Sequence, residues 1–150
     1  MNMNLYAFLW MLRHAEGTAG QNGYRTMFGG GLFNSFDDHP RKKIRRRSGT
    51  RYITSSAAGA YQFLSKTWDD CRSTLDLPDF SPASQDRAAR LLIHQRGAIN
   101  DVLAGRLEAA VKKCNKVWAS LPGSPYGQPT ITMARCKQLF AEAGGTSLEG

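Results

Sequence analysis

Leu5, Phe8, Leu9 and Leu12 recur at steps of three and four, the spacing of one apolar stripe along an α-helix. Asn4 is a residue type that caps helix N-termini, and Gly17 supplies the left-handed conformation that commonly ends a helix, so the first helix is predicted from Asn4 to about Glu16. From Thr18 to Ser56 the helical period disappears. Glycines such as Gly29-Gly30-Gly31, turn residues and short extended pieces such as Tyr52-Ile53-Thr54 predict a small, irregular β-rich lobe. Helical spacing returns after Ser55. Ser65 is expected to cap a helix carrying Trp68, Cys71 and Leu75. Ser81-Pro82 opens another, with Ala88, Leu91 and Leu92, that stops near Gly97. Leu107, Val111, Cys114, Val117, Trp118 and Leu121 predict a helix ended by Pro122-Gly123. Thr132 opens the last, with Met133, Cys136, Leu139, Phe140 and Ala143, ended by Gly144-Gly145. No internal repeat and no long linker interrupts the chain. The expected fold class is α+β: one domain over residues 1–150, mostly helical, with a β-rich part at about 18–56.

A chain of 150 residues with 41% hydrophobic content can bury a sizeable core. Its formal net charge of +8 points to an anionic partner, whether nucleic acid, a membrane surface or bacterial cell wall, and charge alone does not choose among them. Much of that charge is concentrated. Arg41, Lys42, Lys43, Arg45, Arg46 and Arg47 are interrupted only by Ile44, and Arg51 follows. The cysteines, Cys71, Cys114 and Cys136, are odd in number and match no C-x-x-C spacing. Reduced thiols packed as small hydrophobes are expected, with one disulfide plus a free thiol as the alternative. His14, His39 and His94 stand far apart, so neither a metal site nor a cofactor is expected. The apolar run Leu5–Leu12 is shorter than the roughly 20 residues of a membrane span, and no basic n-region precedes it. Synthesis in the cytoplasm, without an export signal or stable membrane insertion, is the expectation.

Glutamate is scarce: Glu16, Glu108, Glu142 and Glu149. Glu108 falls in the first turn of an exposed helix, and Glu142 and Glu149 lie near the C-terminus, as ordinary solvated charges do. Glu16 is placed differently. It follows Leu12 by four residues, so it continues the apolar stripe, and it sits at the negative end of the helix dipole. Both effects disfavour the ionised form and raise the pKa, which suits a general acid. Position alone also leaves open a frayed terminal residue facing water.

A series of short blocks carries more. Ala15-Glu16-Gly17-Thr18 is followed by Gly29-Gly30 with Leu32-Phe33, then Asp38-His39-Pro40-Arg41-Lys42 and Ala58-Gly59-Ala60-Tyr61-Gln62. Asp79-Phe80-Ser81-Pro82, Ser84-Gln85-Asp86, Trp118-Ala119-Ser120-Leu121-Pro122-Gly123, Tyr126-Gly127-Gln128 and Glu142-Ala143-Gly144-Gly145 come after. In this order, across nearly the whole chain, they resemble the bacteriophage lambda endolysin family. The resemblance implies a lysozyme-like fold, distantly related to goose-type lysozymes and soluble lytic transglycosylases. It implies cleavage of the β-1,4 bond between N-acetylmuramic acid and N-acetylglucosamine in peptidoglycan, with Glu16 as the single catalytic carboxyl and a 1,6-anhydromuramic product. It further implies sugar contacts from Gly59, Tyr61 and Gln62, and from Tyr126 and Gln128. Tyr61 can equally be core, and Trp10, Trp68 and Trp118 fall on helical patterns that favour the core. A monomer is expected, made in the host cytoplasm and reaching the wall once a holin opens the inner membrane.

The basic run Arg41–Arg47 departs from the lambda pattern, in the lobe expected to form one lip of the cleft. It is expected to draw the enzyme onto an anionic wall or lipopolysaccharide, or else to be a solvated loop. Asp37 and Asp38 are the nearest acids in sequence to Glu16 and read as a solvated turn pair. As a second catalytic acid they would make the protein a hydrolytic lysozyme on the same fold. Two further alternatives are a nucleic-acid-binding protein using the Arg41–Arg47 run as a phosphate contact, and a wall-binding module without catalysis. No nucleic-acid-binding fold accompanies the run, and an intact Glu16 argues against the module.

Overall fold

The computed structural model describes residues 1–148. They form six α-helices and one two-stranded sheet: α1 (Met3–Glu16), β1 (Ile44–Ser48), β2 (Arg51–Ser55), α2 (Ser65–Leu75), α3 (Pro82–Gln95), α4 (Ile99–Ala104), α5 (Leu107–Cys114) and α6 (Met133–Glu142), with a 3₁₀ turn at Gly23–Arg25. The α+β expectation holds. The chain divides into two compact units. One comprises Met1–Gly17 with Ala89–Gly150, and the other Thr18–Ala88.

In the first unit α1 packs on α4 and α6. Leu5, Phe8, Leu9 and Leu12 are buried as their spacing requires, and Ala7 and Met11 are fully buried beside them. Each large side chain so buried contributes about 1.5–3 kcal/mol. Asn2, not Asn4, caps the helix: its Oδ1 accepts from the amides of Asn4 (2.8 Å) and Leu5 (3.3 Å). Asn4 is thereby released for tertiary work. Its amide donates to Leu103 O at 3.1 Å, and its Oδ1 accepts from Thr146 N at 2.8 Å. Gly17 ends α1 at φ 76° as expected, its amide bonding Arg13 O and His14 O. The helix predicted over 107–121 stops at Cys114. Val117 N and Trp118 N both turn back onto Cys114 O, while Asn115 donates to Pro122 O. Trp118 and Leu121 are nonetheless buried, so the apolar spacing recorded burial in a turn rather than further helix. The six-residue α4 is too short to print a stripe of its own. Thr132 caps α6 by accepting from Arg135 N, as its position predicts. Trp10 is only half-buried, its ring 3.9 Å from that of His14, whereas Trp118 is core.

The second unit is built on aromatic rings. Phe80 lies 4.6 Å from Trp68, 5.1 Å from His39 and 5.7 Å from Phe33, centroid to centroid. His39 is buried and neutral: Nδ1 accepts from Arg41 N at 2.9 Å, which leaves Nε2–H to donate to Phe63 O at 2.8 Å. Burial also holds its pKa below the ordinary value. Ser65 is the first residue of α2 and makes no side-chain cap. The N-cap is Leu64, and Ser65 N donates instead to Ser56 Oγ. Ser81 does meet Ser84 N at the start of α3. The regular β structure is a single antiparallel hairpin, with Ile44 opposite Ser55 and Ser48 opposite Arg51. Its first strand takes in the second half of the basic run, Arg45, Arg46 and Arg47, which shows no alternation that could have announced it.

Candidate active site

Glu16 is the last residue of α1, fixed there by the Gly17 cap. Its carboxyl is half-buried, and Ser120 Oγ donates to Oε2 at 3.1 Å. Among the described residues no ion pair engages it. Burial raises its pKa from 4.5 to about 7, and the Ser120 hydrogen bond opposes that rise by favouring the anion. The result is a carboxyl that exchanges a proton near neutral pH. The other glutamates differ. Glu108 pairs with Lys137 at 2.8 Å and Glu142 is exposed; Glu149 lies outside the described residues.

Ser120 is the functional residue that carries no sequence signal of its own, although it stands inside the Trp118–Gly123 block. Its place is set by the buried Trp118 and Leu121 on either side and by Ile131 N, which donates to Ser120 O at 2.9 Å. The loop closed by that bond carries Tyr126 and Gln128. Tyr126 is not core: the residue is 53% exposed, while its hydroxyl donates to Lys116 O at 2.6 Å. An aromatic face is thus held open to solvent. Gln128 is exposed nearby in sequence.

Gly59, Tyr61 and Gln62 belong to the second unit. Gly59 is buried at φ 85°, and a β-carbon there would strike Phe80 and the Gln85 amide. Gln85 uses that space to accept from Ala60 N at 2.9 Å and to donate to Phe80 O at 2.8 Å and Tyr24 O at 3.1 Å. The ring of Tyr61 is 1% exposed and its hydroxyl donates to Asp86 Oδ1 at 2.6 Å; Tyr24 donates to the same oxygen at 2.8 Å. Tyr61 therefore packs in the core and presents no face for a sugar ring to stack on. Gln62 is half-buried and left-handed at φ 51°, and its Nε2 donates to Thr26 O and Gly59 O. Its amide oxygen is the polar atom left over.

Arg41 separates from the rest of the basic run. Its guanidinium bonds Asp38 at 2.8 Å and both carboxylate oxygens of Asp69, at 3.1 and 2.5 Å. The bonds from Arg41 hold both carboxyls below their usual pKa range. Arg72 lies 3.6 Å from Asp38 as well. Asp37 is exposed in the preceding turn. Lys42, Lys43, Arg45, Arg46 and Arg47 are exposed, and among the described residues none of them meets an acid. Arg45 stacks over the exposed Tyr52 ring at 3.9 Å.

A family model described as Endolysin matches residues 6–147. The chain belongs to the endolysin family. Two phage members are similar over nearly their full length. The endolysin of Escherichia phage P2 is 40% identical over 159 residues, covering 96% of this chain and 94% of its own. That of Escherichia phage lambda is 41% identical over 155 residues, covering 99% and 96%. The solved bacteriophage lambda lysozyme complexed with a chitohexasaccharide superposes at TM-score 0.91, with 41% identity over 98% of this chain and 97% of that one. A second lambda lysozyme structure gives 0.84 at 40% identity. This member of the family therefore has a lysozyme-like α+β fold.

Proposed function

We propose that this endolysin cuts the glycan strands of bacterial peptidoglycan as a lytic transglycosylase, with Glu16 as both acid and base. The observation that carries the reading is the Glu16 carboxyl, half-buried, titrating at about 7 and bonded to a hydroxyl rather than to a cation or a second acid. Protonated, it gives its proton to the glycosidic oxygen between N-acetylmuramic acid and N-acetylglucosamine as that bond breaks. The substrate's acetamido group stabilises the positive charge developing at the anomeric carbon. The Glu16 carboxylate then takes the proton of the muramic C6 hydroxyl, whose oxygen closes onto the anomeric carbon as a 1,6-anhydro ring. No cofactor or metal takes part.

The two acids nearest Glu16 in sequence support this reading. Asp38 is engaged by Arg41 and Arg72 and held ionised, and Asp37 stands exposed in a turn. Neither has the protected, undirected carboxylate that activates a water. The tethered C6 hydroxyl also gains from proximity where a free water must be captured and oriented. Sugar contacts are assigned to Tyr126 and Gln128, through an exposed ring and an exposed amide, and to the remaining oxygen of Gln62. Gly59 and Tyr61 are assigned a supporting part, holding the backbone that presents Gln62. That the related lambda lysozyme was solved with a chitohexasaccharide agrees with a glycan ligand here. The exposed cations Lys42, Lys43, Arg45, Arg46 and Arg47 draw the protein to an anionic wall; Arg41 is structural. The whole chain, 1–150, works as one catalytic domain and as a monomer, made in the host cytoplasm and acting once the inner membrane is breached. No helix among the described residues is long and apolar enough to cross a membrane.

The test is a peptidoglycan digest in water enriched with heavy oxygen, read by mass spectrometry. Anhydromuramic ends without label are expected. Labelled reducing muramic ends as the main product would establish a hydrolytic lysozyme instead, and would reopen the question of a second acid.

A further inference from the structure

We propose that Ser120 is a positioning residue for Glu16: its hydroxyl holds the carboxyl at the end of α1 and serves it in both protonation states. The proposal rests on the reading of Glu16 as the proton carrier. A group that first donates and then accepts a proton needs a neighbour that satisfies both of its forms. Arg or Lys offers donors only and would lock the carboxyl ionised. An apolar neighbour would leave the anion without a partner. A serine hydroxyl donates to the carboxylate and, by rotating its hydrogen, accepts from the acid, with no heavy atom moving.

The geometry fits that task. Ser120 Oγ lies 3.1 Å from Glu16 Oε2, and the two residues are 104 positions apart in sequence, so the contact is a product of the fold. The Ser120 backbone is held on three sides. Trp118 and Leu121 are buried, Leu121 N donates to Trp118 O at 3.1 Å, and Ile131 N donates to Ser120 O at 2.9 Å. Glu16 is held by the capped end of α1. Two rigid anchors thus fix a carboxyl whose side-chain partner among the described residues is Ser120, and a fixed carboxyl is what proton transfer to a particular oxygen requires. Ser120 also begins and closes the loop that carries Tyr126 and Gln128, so the element assigned to sugar contact and the proton carrier share one joint.

The experiment compares Ser120→Ala, Ser120→Cys and Ser120→Thr with the parent protein. The Glu16 carboxyl carbon is titrated by NMR, and kcat and KM are measured across pH on purified wall. In Ser120→Ala and Ser120→Cys the Glu16 midpoint moves above its parent value, because the donor that favours the anion is lost or weakened. The alkaline limb of kcat/KM moves with it, and kcat falls roughly tenfold while KM changes little. Ser120→Thr keeps a hydroxyl and restores both readings. A Glu16 midpoint unmoved in folded Ser120→Ala and Ser120→Cys overturns the proposal, as does a shift that Ser120→Thr fails to reverse. The titration reads the Ser120–Glu16 coupling without turnover. Loss of that coupling is therefore distinguishable from failure of the catalytic reading, which is marked by lysis surviving Glu16→Gln.

Discussion

A carboxyl whose pKa rises on folding carries a stability consequence as well as a chemical one. Burial lifts the Glu16 pKa to about 7 in the folded chain, against 4.5 for an ordinary solvated glutamate. Between those values the folded state holds a proton that the unfolded state has released, so stability falls as pH rises through that window and stays lowered above it. The difference corresponds to a penalty of up to about 3 kcal/mol above pH 7. Glu16→Gln keeps the shape and removes the charge. We expect it to retain less than about 1% of wall lysis, and to melt several degrees higher than the parent at pH 8 but equally at pH 4. Turbidity assays and paired thermal melts check both halves. Significant lysis by a folded Glu16→Gln protein would remove Glu16 from the mechanism. The same titration sets a pH profile: activity that requires protonated Glu16 declines above about pH 7 with the slope of a single ionisation, readable from initial rates on purified wall.

The hairpin shows how an element redistributes a run of like residues. Pairing places Arg45 opposite Thr54 and Arg47 opposite Tyr52, on one face, and Arg46 opposite Ile53 on the other. Ile44, Ile53 and Ser55, on the Arg46 face, are half-buried, while Arg45, Arg47, Tyr52 and Thr54 are exposed. The Arg46 face is therefore the one turned to the protein. Arg41, one strand-length earlier, is held by Asp38 and Asp69. Two substitutions consequently act differently. Replacing Arg45, Arg46 and Arg47 by Ser should flatten the fall of lysis with added salt, because exposed charges act over a screening length of about 10 Å at 0.1 M. A triple variant with the parent's salt slope would make the hairpin a solvated loop without a binding role. Arg41→Ala should leave the salt slope alone and lower the melting temperature by a few degrees, the effect of about 1 kcal/mol lost from a bidentate surface network.

At the scale of the whole molecule the cysteines report how the chain is packed. Cys71, Cys114 and Cys136 are free and buried, one in the second unit and two in the first. Burial pushes their pKa values up to about 11, 12 and 11 respectively. Thiolate, the reactive form, is therefore scarce at neutral pH and also shielded. The native protein should leave a thiol reagent almost unreacted over the time in which the denatured protein gives three equivalents, and reducing agent should not move its melting temperature. Rapid reaction of one native thiol would mean that the unit holding it opens locally.

What the sequence determined by itself is what depends on neighbours along the chain. The stripe Leu5–Leu12, the Gly17 cap, Thr132 as the cap of α6 and the Ser81-Pro82 start are set by residues within one or two helical turns, and short-range geometry is written in residue type. Glu16 stood out for the same reason, since its place relative to Leu12 is a matter of helical period. The fold decided what depends on partners far away in sequence. Asn4 became a tertiary tie because Asn2 took the cap and Thr146 lay across from it. Val117, Trp118 and Leu121 kept a helical spacing after the helix had ended, because a turn can also fill a core. Arg41 left the basic run only when the chain brought Asp69 to it, 28 residues on. Tyr61 turned inward because its hydroxyl found Asp86, and Ser120 reached Glu16 only through the packing of Trp118 and Leu121. A hydrogen bond between residues 16 and 120 leaves no period or local pattern in a sequence, because neither residue's type requires the other until burial has brought them within 3.1 Å.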